Sequence, residues 1–407
     1  MSTFSLRARW VLPVDGPLLS DGVVSVSDGI ITSVDKYTGT SPNLQDLGDV
    51  ILMPGLVNAH THLEFSDCRR PLGKPKLPLT DWIRLVIANR KRNDRSAESA
   101  IQAGLAECLQ HGVTSLGEIS TAQPAAYDGF QGASLVAFEE VIGFSASRME
   151  SILDDVGKRL DRSRALNPRC LVGISPHAPY TVHPELLKRL VALAREYSLP
   201  IAMHLAESRQ ELELLSTGCG AFRELLEERS MWDSNAIPQN STPLDYLRIL
   251  SDAPRALVIH GNYLTEGEIY YLGEHSDRMS VVYCPRTHAY FGHDTYPLES
   301  MLTAGVKVAI GTDSQASNPD LNLLSELRWI SRQFPNVSPD TILRLGTLSG
   351  AEALGLAQET GSLSPGKWAD MIAIPCPEMS VPYEKLLSSN TGPDSIWIRG
   401  VCQRRSY

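Results

Sequence analysis

Pro54-Gly55-Leu56-Val57-Asn58-Ala59-His60-Thr61-His62 is an apolar run that ends in two histidines two residues apart. On an extended strand, residues i and i+2 project from the same face. Both imidazoles therefore point at one place, as a metal site requires. A lone His-x-His pair is a weak signal. It gains weight because His177, His204, His260 and Asp313 also stand at or just after the ends of short apolar runs.

Eight such runs recur, at 56–59, 113–118, 135–142, 171–175, 201–205, 257–260, 280–284 and 306–311. Most are continuous and β-branched rather than alternating, which fits parallel strands covered on both faces. Amphipathic helical stretches lie between them, as at 97–111, 184–197 and 321–333. Eight strand–helix alternations predict an α/β fold, a (β/α)8 TIM barrel. The chain ends differ. Short strands are expected at 3–12, 23–26, 30–34, 370–374 and 395–402, with Asp28-Gly29 as a turn. The two termini are expected to form one small β-sandwich domain, residues 1–52 plus 360–407, flanking a barrel over 53–359.

The 407 residues are 43% hydrophobic and 21% charged, with net charge −10. That balance suits a globular chain and argues against nucleic acid or an anionic membrane as partner. Seven scattered cysteines without a Cys-x-x-Cys pair suggest reduced thiols in a cytoplasm. The first residues lack the apolar core of a signal peptide, and no uncharged apolar stretch reaches membrane-spanning length. The expected partner is a small molecule, and a homodimer is compatible with the sequence.

Barrel enzymes build their sites at the carboxyl ends of the strands. His60 and His62 end the first strand, His177 follows the fourth, His204 ends the fifth, His260 ends the sixth and Asp313 follows the eighth. His60, His62, His204 and Asp313 offer three nitrogens and one oxygen, a set suited to one divalent ion, Zn²⁺ or Fe²⁺. Such an ion makes hydroxide available near neutral pH. Glu207, three residues after His204, is a candidate proton shuttle. His260 could hydrogen-bond the hydroxide or a developing oxyanion. Asp313 could accept the water's proton while touching the metal. His183, before Pro184, is expected at a helix entry. Asp320, Glu326 and Arg328 read as the solvated face of a helix. One of Glu139 and Glu140 is expected to face the barrel interior and be paired.

Pro54–His62 with Leu63-Glu64-Phe65-Ser66, Ser175-Pro-His-Ala-Pro-Tyr-Thr181, Met203-His-Leu-Ala-Glu207, Ile259-His-Gly-Asn262 and Gly311-Thr-Asp-Ser314 together resemble the amidohydrolase superfamily. They are most similar to its branch of aminohydrolases and chlorohydrolases. Ser362-Leu-Ser-Pro-Gly-Lys-Trp-Ala-Asp370 resembles that family's C-terminal return. The resemblance implies a hydrolase of carbon–nitrogen bonds other than peptide bonds. It implies His60, His62, His204 and Asp313 as ligands, Glu207 as shuttle and His260 beside the hydroxide. The run at 170–175 has no lysine to bridge two metals, which favours a single metal and deamination or dechlorination.

The segment around His177, together with Leu63–Ser66 and Asp81-Trp-Ile-Arg84, looks most like aminodeoxyfutalosine deaminases of a menaquinone route. That resemblance implies a 6-aminopurine nucleoside joined to a benzoate. His177 would then face the purine and Trp82 would stack. Arg84, Arg90 or Arg286 would take the carboxylate, because guanidinium suits a planar anion. Cys284-Pro-Arg-Thr-His-Ala-Tyr-Phe-Gly-His293 brings Arg286, His288 and His293 toward the expected mouth, and it departs from the Cys-Pro-x-Ser-Asn form of many adenosine-type deaminases. Guanine, S-adenosylhomocysteine or methylthioadenosine deamination, and dechlorination on the same fold, stay open as alternatives.

Overall fold

The computed structural model describes residues 3–92, 97–122, 124–127, 130, 132, 134–164, 170–377 and 380–405. Five strands open the chain: β1 Thr3–Val11, β2 Leu19–Ser27, β3 Ile30–Lys36, β4 Leu44–Asp46 and β5 Val50–Pro54. The barrel follows: β6 Leu56–Thr61, β7 Val113–Ser120, β8 Ser134–Val141, β9 Cys170–Pro176, β10 Pro200–Leu205, β11 Arg255–His260, β12 Met279–Tyr283 and β13 Lys307–Ile310. The chain ends in β14 Met371–Pro375, β15 Ser395–Ile398 and β16 Val401–Arg405.

Strands β6 to β13 pair in sequence order and all in parallel. They coincide with the eight apolar runs. Every residue of β6, β7 and β12 is buried, which explains why these strands read as unbroken apolar runs. Between β13 and β6 the barrel closes just past the end of β13. The Asp313 N–H donates to the His60 carbonyl at 3.1 Å. Asn58 shares the strand face of His60 and His62 and clamps Thr312 from both sides, donating to its Oγ1 at 2.7 Å and accepting from its N–H at 3.1 Å. Gly311 is needed at this seam, since a Cβ there would stand 2.8 Å from the His60 Cβ.

The termini meet in one mixed eight-stranded sheet, ordered β16-β15-β14-β5-β1-β2-β3 with β4 beside β1. Central to it, β5 pairs antiparallel with β14, so the two chain ends are joined through the strand that leads into the barrel. The sheet curls back on itself. Ile30 bridges Trp368, and Val26, Ile31, Met371 and Trp397 share one apolar cluster. The strands β4 and β5 were not foreseen. Leu44–Asp46 is too short and polar to show a period, and β5 merges with the apolar run that continues into β6.

Candidate metal centre and active site

The carboxyl end of β6 is held before it can be functional. Thr61 points away from its neighbouring histidines and donates to the buried Glu118 carboxylate at 2.6 Å, while the Leu63 N–H donates to the same group at 3.0 Å. Glu118 thereby fixes the turn that orients His60 and His62. Burial pushes its carboxyl well above the usual range.

Two overlapping donor sets meet here, His60 with His62 and Asp313, and His60 with His204 and His260, the atoms of each within 4.8 Å of one another. The Nε2 atoms of His62 and His204 are 3.3 Å apart, and Asp313 Oδ1 lies 3.7 Å from His60 Nε2 and 3.8 Å from His62 Nε2. Ligands about 2 Å from a common tetrahedral centre stand roughly 3.3 Å from one another. Both ring nitrogens of His60 are buried with no hydrogen-bond partner among the described residues. That is costly unless a ligand satisfies one of them. The outer atoms of His204 and Asp313 are engaged. His204 Nδ1 bonds the His177 carbonyl at 3.0 Å, leaving Nε2 free, and Asp313 Oδ2 accepts from Ser317 at 3.1 Å, leaving Oδ1 facing the histidines. These residues fit one divalent ion. Burial opposes the Asp313 carboxylate, but the adjacent His60, His260 and His62 imidazoles hold it below the usual range.

Glu207 stands beside the cluster, its Oε1 3.5 Å from His260 Nε2. Burial, and then the neighbouring Asp313 and Glu211 carboxylates, push the Glu207 carboxyl well up; burial pulls His260 down to about 3. A protonated carboxyl beside a neutral imidazole can give and take a proton, and a bound cation would draw the carboxyl back down. The aim of Glu207 comes from Glu211, a residue not singled out in the sequence. Its two oxygens accept from the Ala206 N–H at 2.9 Å and the Glu207 N–H at 2.8 Å. The Glu207 carbonyl accepts from Asn262 Nδ2 at 2.9 Å. Ala206, His260 and Asp313 all carry left-handed backbone (φ 53°, 69° and 56°), strain that clusters at this rim.

A cavity of about 320 Å³ opens above the cluster. His62, His177, His204, Glu207, His260 and Asp313 reach it from the barrel end. Its walls are apolar, with Trp82, Ile83 and Val86 from the helix Leu79–Arg92 facing Leu225 and Leu226 from the helix Ala221–Glu228. Trp82 lies in the wall as expected, its indole N–H tied to the Ala316 carbonyl at 3.2 Å. His177 faces the cavity, with burial pulling its pKa to about 4.

Of the three arginines considered for a carboxylate, only Arg90 lines the cavity, held by Glu64 and stacked over Phe65 at 4.9 Å. Arg286 does not reach it. It is spent on Glu326 at 2.6 Å and Asp320 at 2.6 Å, tying the end of β12 to the helix Leu323–Gln333. Arg84 forms a two-pronged bond to Glu228, at 2.8 and 2.9 Å, joining the two wall helices from outside. His288 is buried behind the cavity, packed edge-on to Tyr283 and Tyr296. The expectation of a solvated helix also fails. Glu326 is fully buried as the partner of Arg286, and Arg328 is buried, donating to the Leu386 and Thr391 carbonyls. Charged side chains at helical spacing cannot announce that their partners come from elsewhere in the chain. His183 caps its helix as expected, accepting from the Glu185 N–H at 3.1 Å. Arg229, exposed at the mouth, went unnoticed because nothing in its local sequence marks it.

Comparison with known proteins agrees with this geometry. The amidohydrolase family model matches residues 51–401. A 5-methylthioadenosine/S-adenosylhomocysteine deaminase of Nitratidesulfovibrio vulgaris strain Miyazaki F is 32% identical over 88% of this chain and 80% of its own. An aminodeoxyfutalosine deaminase of a Nitratiruptor species is 28% identical, covering 98% of this chain and 97% of its own. The crystal structure of an adenosine deaminase from Xanthomonas campestris with bound zinc superposes with a TM-score of 0.79 at 26% identity, over 99% of this chain and 93% of that one. The chain belongs to the amidohydrolase family, as a deaminase-type hydrolase of carbon–nitrogen bonds.

Proposed function

We propose that this protein hydrolytically deaminates the 6-aminopurine ring of a nucleoside with an extended substituent, aminodeoxyfutalosine being the foremost candidate. One observation carries the reading: Glu207 and His260, 3.5 Å apart, face the same cavity as His62, His204 and Asp313. His60, His62, His204 and Asp313 would hold Zn²⁺ or Fe²⁺. A bound divalent cation supplies an acidified water near neutral pH. Glu207 would take the proton of that water as its oxygen bonds to the amino-bearing carbon. It would then hand the proton to the amine, so that the carbon–nitrogen bond breaks and ammonia leaves. His260 would hydrogen-bond the incoming oxygen, and Asp313 would share its proton.

Trp82 would contact the ring, and His177 would stand where the ring meets the ribose. The long apolar walls suit a substituent, and Arg90 with Arg229 would meet a carboxylate at the open end. A benzoate fits that description, as does the amino-acid end of S-adenosylhomocysteine. The test is ammonia release from aminodeoxyfutalosine, methylthioadenosine, S-adenosylhomocysteine, adenosine and guanine, alongside halide release from chlorinated heterocycles. Halide without ammonia would refute the reading. A preference for aminodeoxyfutalosine would place the protein in menaquinone formation.

A further inference from the structure

Glu139 and Glu140 are adjacent on β8 and so face opposite ways. Glu139 is paired with Arg159 at 3.0 Å. Glu140 turns to the cavity instead, its side chain 10% exposed, with no side-chain hydrogen bond among the described residues. Its nearest charged or titratable neighbour is His177, whose Nε2 is 4.0 Å from Glu140 Oε1, too far for a hydrogen bond.

The Thr181 hydroxyl lies 3.2 Å from the Ala178 carbonyl and 2.7 Å from His177 Nδ1; when it donates to the carbonyl, its oxygen accepts from His177 Nδ1–H. Nε2 is then an unprotonated acceptor. The Glu140 carboxylate and the half-buried His177 imidazole thus stand side by side on the cavity wall, with no side-chain donor to Glu140 or to Nε2 among the described residues. Burial pushes the Glu140 carboxyl up, and Arg90 and Arg159 only partly offset it, so the group gains from a hydrogen-bond donor in the cavity. His177 also places this pair relative to the reaction centre. Its ring centroid is 5.1 Å from that of His204 on one side, and Glu140 lies on the other.

We propose that Glu140 and His177 form the subsite for the vicinal hydroxyls of a ribose, so that the protein selects nucleosides over free bases. Two adjacent hydroxyls match the two oxygens of one carboxylate, with the imidazole nitrogen as a further acceptor. This rests on the deaminase reading of the same cavity and deepens it.

The metal-loaded protein is assayed for ammonia release from adenosine, 2′-deoxyadenosine, 3′-deoxyadenosine and adenine. Binding of the same four is measured by calorimetry in the Glu207→Gln background. Loss of either hydroxyl should weaken binding and kcat/KM roughly 10- to 100-fold, with adenine weaker still. In Glu140→Ala the ribo-to-deoxy ratio should collapse to within a few-fold. Glu140→Gln, which keeps one acceptor and the side-chain volume, should retain an intermediate ratio. Equal handling of ribo and deoxy compounds by the parent protein would overturn the subsite, as would a ratio unchanged in both Glu140 variants. Hydroxyl-selective binding, with no ammonia released from these four, aminodeoxyfutalosine, methylthioadenosine or S-adenosylhomocysteine, would leave the subsite standing and sink the deaminase reading.

Discussion

The Asp313 N–H donates to the His60 carbonyl at 3.1 Å, and the same two residues face each other through Asp313 Oδ1 and His60 Nε2 at 3.7 Å. One residue pair therefore closes the barrel and supplies two of the four candidate ligands. Closure and site geometry are not independent: a shift in the β13–β6 seam displaces a ligand atom by the same amount. The Asn58–Thr312 clamp beneath the pair secures both.

Glu207→Gln keeps the shape of the site and removes its proton carrier. Metal content measured by atomic absorption should match the parent, while kcat falls by about 10²- to 10⁴-fold. A variant with near-parental turnover would remove Glu207 from the reaction.

The His60 ring makes no hydrogen bond among the described residues, so its contribution should appear only with metal. Added Zn²⁺ should raise the melting temperature of the metal-stripped protein, by mass action on the folded state alone. His60→Ala should bind less than one equivalent and lose most of that shift.

Arg286 and Arg84 should separate cleanly. Arg286→Ala strands the fully buried Glu326, with an expected cost of about 3–5 kcal/mol in chemical denaturation and little change in KM for the protein that folds. Arg84→Ala loses an exposed pair, and its stability should change by less than about 1 kcal/mol. A raised KM confined to anionic substrates in Arg286→Ala would contradict the structural role assigned to it.

Burial raises Glu211 to about 7, against the three backbone N–H groups that lower it. An unfolded Glu titrates near about 4.3. The folded state thus holds the extra proton between these values, and the stability this supplies is full at acid pH and lost as pH rises through about 7. Glu211→Gln removes this titration. The loss of unfolding free energy between pH 5 and pH 7.5 should be smaller in the variant by about 2 kcal/mol. An identical pH slope would place the Glu211 proton elsewhere. Because Glu211 also aims Glu207, kcat should drop in the variant while metal content holds.

The barrel was legible because eight buried parallel strands must each be apolar throughout, a signal that needs no partner to be seen. The candidate ligand set was legible for a related reason: His60, His62, His204 and Asp313 each sit where an apolar run stops, and the fold brings such stops to one rim. Glu207 followed from its spacing to His204. Glu118, Glu211 and Ser317 did not, since each acts by holding another residue and looks in the sequence like any polar side chain.

What the sequence determined by itself is the architecture and the chemistry of the centre, both written in local patterns of hydrophobicity and residue type. Only the tertiary structure decided which charges reach the cavity. Arg286, Arg84 and Arg90 are equally plausible anion binders as letters, yet Arg286 and Arg84 are consumed by Glu326, Asp320 and Glu228, and Arg90 alone meets the cavity. Glu139 and Glu140 differ only in which side of β8 they occupy, and that places one against Arg159 and the other in the cavity. Ion pairing depends on distances across the fold, to which residues far apart in the chain contribute, and local patterns carry no record of them.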